Sequence, residues 1–285
     1  MLKKWNKKYW AGMGVILALT GCTSVADMVG YDTATLNEDA AKSYTQVIQK
    51  ARGQKALDVS SPTAQRVQRV FARLRPHAER ANKTGVPFNW QMNVIRSDEM
   101  NAWAMPGGKM AFYTGLVESL NLTDDEIATV MGHEMAHALK EHGKKKANLS
   151  QFTNVIAGVG HEMTHALLEH SKKALGGQVL TGLGGSILAS STGVDGDLVG
   201  LGADLLATKP FSRYQESEAD AGGVRLMAEA GYNPEAAVSV WEKMNKVQGG
   251  SSLAILSTHP TNQARINAIR KMLPEVMPIY QKNKR

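Results

Sequence analysis

Apolar positions recur at helical spacing in several separate stretches of this chain and at strand spacing in two short ones. A first helix is predicted over about 37–52 and a second over 62–82. In the second, Val67, Val70, Phe71 and Leu74 share one face while Arg66, Arg69, Arg73 and Arg75 lie largely on others. Residues 90–96 read as a strand, Asn101 to Gly108 as a turn rich in Pro and Gly, and Lys109 to Thr114 as a second strand. Thr123 with Glu126 has the form of a capping box and opens a long helix to about Lys146. The stretch 148–210 is rich in Gly, Ala, Ser and Leu, apolar enough for helices but repeatedly interrupted; Asp195, Asp197 and the glycines of 175–205 argue against a membrane-spanning helix there. A further helix is predicted over 213–230, stopping at Gly231. Another runs from Pro234 to about Val247, and a last one opens at His259-Pro260 and ends near Leu273.

The N-terminus changes the picture from a simple globular chain to an exported one. Lys3, Lys4, Lys7 and Lys8 precede a short apolar run from Trp10 to Leu19, the layout of a secretory signal over 1–21. That run is too short to span a bilayer, which takes about 20 apolar residues. It ends in Leu19-Thr20-Gly21-Cys22, which resembles the lipobox of bacterial lipoproteins, and Cys22 is the single cysteine of the chain. The resemblance implies a lipid on Cys22 and, with Thr23 rather than an aspartate after it, anchoring to the outer membrane on its periplasmic face. Residues 22–36 then read as a tether and 37–285 as one domain with its core at about 60–275. The formal charge of +7 includes the four leader lysines; without them 29 basic residues face 26 acidic ones, so no nucleic-acid partner is implied. With 43% hydrophobic and 21% charged residues the chain can bury a sizeable core.

The chemistry centres on His133-Glu134-Met135-Ala136-His137, an H-E-x-x-H pattern within a helical period. Positions i and i+4 share a helical face, so both imidazoles can ligate one zinc ion, and Glu134 is placed to act as general base on a water there. The extension by which metzincins supply a third histidine is absent, since Lys140 and Gly143 occupy its positions. A glutamate on a later helix is the alternative, and Glu216-Ser217-Glu218-Ala219-Asp220 offers one: Glu216 as ligand and, four residues on, Asp220 as acceptor for the free N–H of a ligand histidine. His142, counted round an unbroken helix, lies about 140° from His137 and is not expected among the ligands.

Asn101-Ala-Trp-Ala-Met-Pro-Gly-Gly, the H-E-x-x-H helix, Glu216-x-x-Ala-Asp220 and His259-Pro260 with Arg265-Ile266 occur in one order along the chain. In that order they resemble the metallopeptidase family of the CAAX prenyl endopeptidases, HtpX, BepA and LoiP, over roughly 60–275. The resemblance implies a zincin-like α+β fold, mainly helical, with a small antiparallel or mixed sheet whose edge strand packs on the motif helix. It implies one Zn2+ per chain held by His133, His137 and Glu216, with Glu134 as base and His259 helping to hold an oxyanion. It further implies that Met110, Ala111, Phe112 and Tyr113 form an open edge for an extended substrate. The substrates it suggests are misfolded or misassembled envelope proteins. The alternative reading is a protease-like chaperone or assembly factor with an occluded site.

One feature departs from that family. His161-Glu162-Met163-Thr164-His165 repeats the motif 28 residues on, within an eleven-residue pattern that differs from the first copy at two positions. The first copy keeps the strand–turn–helix lead-in; the second keeps the shorter interval to Glu216 that resembles the family. The lead-in favours His133, Glu134 and His137, because misplacing the ligands by a few ångströms abolishes catalysis, while a longer loop costs little in closure entropy. The second copy is then a silent helix or a weak second zinc site with His170 or His142.

Overall fold

The computed structural model describes residues 30–148, 210–247 and 254–284. The signal segment, Cys22, the second motif copy with His170, and the Gly-rich stretch 175–205 lie outside the described residues. The chain divides into two compact units, Asp32–Lys146 with Val179–Arg285, and Met1–Tyr31 with Ala147–Gln178. In the second of these, the Tyr31 backbone N–H donates to Asn148 Oδ1 at 2.8 Å. Everything below concerns the first unit.

Helix α1 (Thr33–Gly53) starts four residues before the predicted position, inside the expected tether, because the Asp32 carboxylate caps it by accepting the N–H groups of Ala34 and Thr35. A short strand β1 (Leu57–Asp58) leads to α2 (Pro62–Ala81), capped by Ser61 and started by Pro62. Its buried face holds Val67, Val70, Phe71 and Leu74, as the periodicity predicts. Of the arginines on its other faces, Arg66 pairs with Asp124 at 2.7 Å and Arg73 donates to the Gly231 carbonyl at 2.9 Å.

Strand β2 (Gln91–Ile95) lies near the predicted position. The segment read as one long turn is different: Ala102–Met105 forms strand β3, and only Pro106–Gly108 turns, as one 3-10 helical turn with φ of 73° at Gly107 and 80° at Gly108. Strand β4 (Lys109–Tyr113) follows, buried at all five positions. The sheet order is β1-β2-β4-β3, with β2 and β4 parallel and the two outer pairs antiparallel. This corrects the expectation that Met110, Ala111, Phe112 and Tyr113 form the open edge. The tight turn folds β3 back onto β4, which is thereby paired on both sides, and among the described residues β3 is the edge.

After the short helix α3 (Thr114–Ser119), α4 (Asp124–Leu139) opens with the predicted capping box, Thr123 and Glu126 each accepting the other's backbone N–H. Every residue of α4 from Glu126 to Ala138 is buried, as expected of a helix enclosed by neighbours on all sides. The helix does not run on to Lys146: Glu141 takes a φ of 53°, and the chain is helical again only from residue 142. Helix α5 (Arg213–Glu229), capped by Ser212 and Gln215, packs along α4, and α6 (Ala236–Val247) closes another side of it. A short α7 (Ala254–Thr258) precedes α8 (Gln263–Asn283), which Asn262 caps and which continues through Pro274 and Pro278, ten residues past the predicted end. No described helix is long and apolar enough to cross a membrane.

The α4–α5 packing is close enough for the backbones to meet. A Cβ on Gly132 would lie 2.8 Å from the Gly223 carbonyl oxygen, and one on Gly223 would lie 2.6 Å from the His133 nitrogen. Gly223→Ala is therefore expected to lower the unfolding free energy by about 1–3 kcal/mol through overpacking, although alanine adds roughly 1 kcal/mol of helix propensity. Urea unfolding followed by circular dichroism measures this; a midpoint that is unchanged or raised contradicts the close approach.

Candidate metal centre

Helix α4 presents His133 and His137 on one face, and α5, lying across it, presents Glu216 and Asp220 one turn apart. His259 enters from the loop between α7 and α8. His133, Glu134, His137, Glu216 and His259 are each only 2–3% exposed. His133, His137, Glu216 and His259 each offer one ligand atom, all within 4.8 Å of one another, a set that can hold a metal ion.

The individual separations test that fit. His133 Nε2 lies 3.0 Å from His137 Nε2 and 3.6 Å from Glu216 Oε2, while His137 Nε2 lies 3.3 Å from Glu216 Oε1. Ligands held at about 2.0–2.2 Å in a tetrahedron are roughly 3.3–3.6 Å apart, so these atoms already stand close to the spacing a small divalent cation imposes. Two buried carboxylate oxygens, Glu134 Oε1 and Glu216 Oε2, have no hydrogen-bond partner. Charged groups stand near both without a hydrogen bond: His259 Nε2 is 3.3 Å from the first and Arg265 Nη1 2.6 Å from the second. Arg265 already meets the charge of the second, while a buried oxygen without a hydrogen bond, such as Glu134 Oε1, is costly unless a polar or cationic partner reaches it.

Each ligand histidine is braced from behind. His133 Nδ1 donates to Asp220 Oδ1 at 3.0 Å, leaving Nε2 free for a metal. Asp220 is gripped in turn by Arg265, whose Nε and Nη2 donate to its two oxygens at 2.7 and 2.8 Å. The Arg265 guanidinium lies 4.1 Å from the centre of the Trp241 ring, which also packs edge-on to His133. His137 Nδ1 lies 2.9 Å from Nδ1 of His142, which is fully buried and has Nε2 3.4 Å from Glu218 Oε2. One proton arrangement of the row suits a metal on His137: Glu218 accepts from His142 Nε2 and His142 Nδ1 accepts from His137 Nδ1, which would free His137 Nε2 of the proton it otherwise donates to Glu216 Oε1.

Burial and charge set the protonation states. Burial pushes Glu134 up, against the pull of His259 and His133. Burial opposes ionisation of Glu216 as well, but hydrogen bonds from His137 and His259 prevail and hold it well below the usual carboxylate range. Asp220 is likewise lowered, by His133 and Arg265 against burial. His137 is driven down mainly by burial. Burial also brings His142 down to about 4, keeping it neutral and able to accept. His259 is raised, since the carboxylates of Glu134 and Glu216 outweigh its burial.

Strand β3 runs beside this group. Tyr113 donates to the Asn101 carbonyl at 3.1 Å, which fixes the alternation of the β3–β4 ladder: Trp103 and Met105 pair inward, and Ala102 and Ala104 turn their backbone groups to the open edge. The Ala104 N–H is directed at the Glu134 carboxylate.

The structure thus brings together His133, Glu134, His137, Glu216, Asp220 and His259, and puts the first motif copy beside Glu216. His142 does not join the ligand group, yet the angular argument for excluding it fails, because the helix breaks at Glu141 and His142 folds back against His137. Its place behind His137, and those of Glu218, Arg265 and Trp241, are not evident in the sequence. No residue marks the break beforehand, since it falls at Glu141 and Gly143 lies inside the helical stretch that follows it.

A mainly helical α+β chain with a small four-stranded mixed sheet and a metal-binding group on an H-E-x-x-H helix is of the zincin-like class. Within that class, this chain belongs to peptidase family M48, whose pattern it matches over residues 61–273. It is similar to the mitochondrial metalloendopeptidase OMA1 of Schizosaccharomyces pombe, 29% identical over 225 residues covering 78% of this chain and 57% of that one. It is also similar to two Escherichia coli proteins. The metalloprotease LoiP is 29% identical over 66% of this chain and 64% of LoiP, and the metalloprotease YcaL is 26% identical over 88% and 91%. The matched regions span 57, 36 and 61% of the OMA1 proteins of S. pombe, Arabidopsis thaliana and Saccharomyces cerevisiae.

If His142 positions His137, His142→Ala weakens metal binding by about 10–100-fold, the usual effect of losing an outer partner of a ligand histidine. Competition with a chromogenic chelator measures it, with the melting temperature of the chelated protein as control. Unchanged affinity at unchanged melting temperature refutes the bracing role.

Proposed function

We propose that this chain is a zinc-dependent endopeptidase acting on proteins of the bacterial envelope. The observation that carries the reading is the buried convergence of His133, His137 and Glu216 next to Glu134, whose Oε1 is shielded and lacks a hydrogen-bond partner. Membership of family M48 and the metalloprotease names of LoiP and YcaL support it.

In this reading His133, His137 and Glu216 would hold a zinc ion, and His259 would act beside them. A bound zinc supplies Lewis-acid polarisation of a peptide carbonyl and of water. The substrate lies along β3, where the outward carbonyls of Ala102 and Ala104 accept its backbone N–H groups as an added strand. Glu134 takes a proton from the attacking water and delivers it to the leaving nitrogen; burial raises its pKa, which favours the form that holds the proton between the two steps. His259 Nε2 donates to the carbonyl oxygen as negative charge develops, the neighbouring carboxylates keeping that nitrogen protonated. Asp220, Arg265 and His142 hold the imidazoles in register throughout.

Glu134→Gln is expected to reduce casein and peptide hydrolysis by about 100- to 10,000-fold, the range general-base removal usually gives. Chelator should abolish the wild-type activity, and Glu162→Gln should leave it close to wild type. An active Glu134→Gln protein with a dead Glu162→Gln counterpart transfers the chemistry to the second copy; activity untouched by both ends the zinc mechanism. The near-complete burial of the site favours a second reading, a protease-like chaperone with an occluded centre. It predicts that wild-type protein cleaves nothing yet suppresses aggregation of an unfolded client.

The location follows from Cys22. A lipid there would tether the chain to the outer membrane on its periplasmic side, within reach of misfolded or misassembled envelope proteins. Cys22→Ser should move the protein from the membrane pellet to the soluble fraction of a Gram-negative host; a variant that stays membrane-bound contradicts the anchor.

A further inference from the structure

The break that ends α4 is a strained point next to the candidate centre. Glu141 takes a φ of 53°, in the left-handed region that glycine adopts freely and that costs a residue with a Cβ. Its N–H donates to the Ala138 carbonyl at 3.0 Å, and its carbonyl accepts the Lys145 N–H at 2.9 Å, so it closes one helical stretch and opens the next. The turn it makes carries the fully buried His142 back to 2.9 Å from His137, Nδ1 to Nδ1. A strained conformation persists only where its surroundings hold it in place.

The hold comes from α1. Thr33 Oγ1 donates to Glu141 Oε1 at 2.5 Å, and Lys144 Nζ donates to Thr33 Oγ1 at 3.0 Å while standing 3.5 Å from the same carboxylate oxygen. The one hydroxyl is thus donor to an anion and acceptor from a cation, and hydrogen bonds to ionised groups are the stronger kind. Thr33 itself has a fixed support. Asp32 caps the first turn of α1, Leu36 and Ala40 are buried, and the Tyr44 hydroxyl ties the helix to the Met110 carbonyl. Helix α1 lies wholly before residue 61, where the family match begins, so this hold is supplied from outside the matched segment.

We infer that Thr33 is a positioning residue for His137: by fixing Glu141 in its left-handed conformation, it keeps His142 seated behind that imidazole. The inference rests on the metal-centre reading for the ligand role of His137. The influence of Thr33 passes first through the backbone of residue 141 and then through His142, and each link can be cut separately.

The test measures zinc affinity of the full-length protein by chelator competition, with amide hydrogen exchange of the chelated protein as a metal-free readout. Thr33→Val keeps the shape and loses the hydroxyl. It should weaken zinc binding about 3- to 10-fold, a part of the roughly 10- to 100-fold that outer partners of ligand histidines supply, and Thr33→Ser should bind like wild type. In a His142→Ala background Thr33→Val should add less than about twofold, since the link it acts through is gone. Glu141→Ala loses the carboxylate and keeps the strain, and should weaken binding by about tenfold. Glu141→Gly also loses the carboxylate but adopts the left-handed conformation without cost, and should stay within about threefold of wild type. Exchange at the Lys145 amide should rise at least about threefold in Thr33→Val, as local opening becomes easier. The Glu141 pair carries the test if Thr33→Val does not fold. Unchanged affinity in Thr33→Val, an equal loss with and without His142, or an equal loss in Glu141→Gly and Glu141→Ala overturns the positioning role. A wild-type protein that binds no zinc removes the metal reading alone; exchange then decides, and equal Lys145 exchange in Thr33→Val and wild type overturns the hold on Glu141.

Discussion

Where α4 crosses α5, Gly132 and Gly223 bring the two backbones into direct contact, and the geometry of the metal centre depends on that closeness. Gly132 immediately precedes His133, and Gly223 follows Asp220 by three residues and Glu216 by seven, so all three α5 positions lie on one helical face. A side chain at either glycine would push the helices apart by more than the tolerance of the site. His133 Nδ1 and Asp220 Oδ1 are 3.0 Å apart, and His137 Nε2 and Glu216 Oε1 3.3 Å; an added ångström takes both contacts out of range. The helix carrying two ligands and the helix carrying the third are set by the same pair of missing Cβ atoms.

That contact creates an electrostatic problem which the rest of the site resolves. Glu134, Glu216 and Asp220 are all buried, and like charges so close in a low dielectric repel strongly. Arg265 answers part of this, gripping Asp220 with two hydrogen bonds while its guanidinium rests on Trp241. The remainder appears as opposed shifts: Glu216 stays ionised while Glu134, one helix away with fewer partners, is pushed up. Two carboxylates driven apart in this way suit two different jobs, a permanent anion for a cation and a group that exchanges protons. Arg265 and the raised His259 together offset the acidic groups where no metal is bound, and a dication that took Glu216 would do the same work at the ligand atoms.

Much of this was legible in residues whose local chemistry admits few alternatives. Thr123 and Glu126 announced the start of α4, the i and i+4 histidines its ligand face, and Glu216 with Asp220 the partner face; all rest on helical periodicity, which short-range sequence determines. What escaped notice depends on tertiary contact. Strand β3 is four residues long and runs straight into Pro106-Gly107-Gly108, so its turn signal masked its strand, and the edge was assigned to β4 instead. His142 was judged by its angle on an unbroken helix, but Glu141 in a left-handed conformation broke that helix. The last helix, expected to end near Leu273, runs on to Asn283 through Pro274 and Pro278. Arg265 and Trp241 carry no local pattern that marks a buried cation resting on a ring.

The two ligand histidines are supported by different means, and this asymmetry bears on how the molecule is divided. His133 leans on Asp220, Arg265 and Trp241, all within the matched family segment and all on helices that form the core. His137 leans on neutral His142, just beyond the break in α4, and the next residues, Gly143 and Lys144, line the cleft that α1 covers. Helix α1 is itself fixed to the sheet through Tyr44, whose hydroxyl donates to the Met110 carbonyl at 2.8 Å, and it lies against the turn at Gly107. The core half thus sets the chemistry, with charged and closely packed partners that tolerate little change. The other half joins the site to α1, whose Ala40 and Tyr44 pack in a separate small cluster with Met105, so that changes on the outer face of α1 leave the contacts that orient His133 undisturbed.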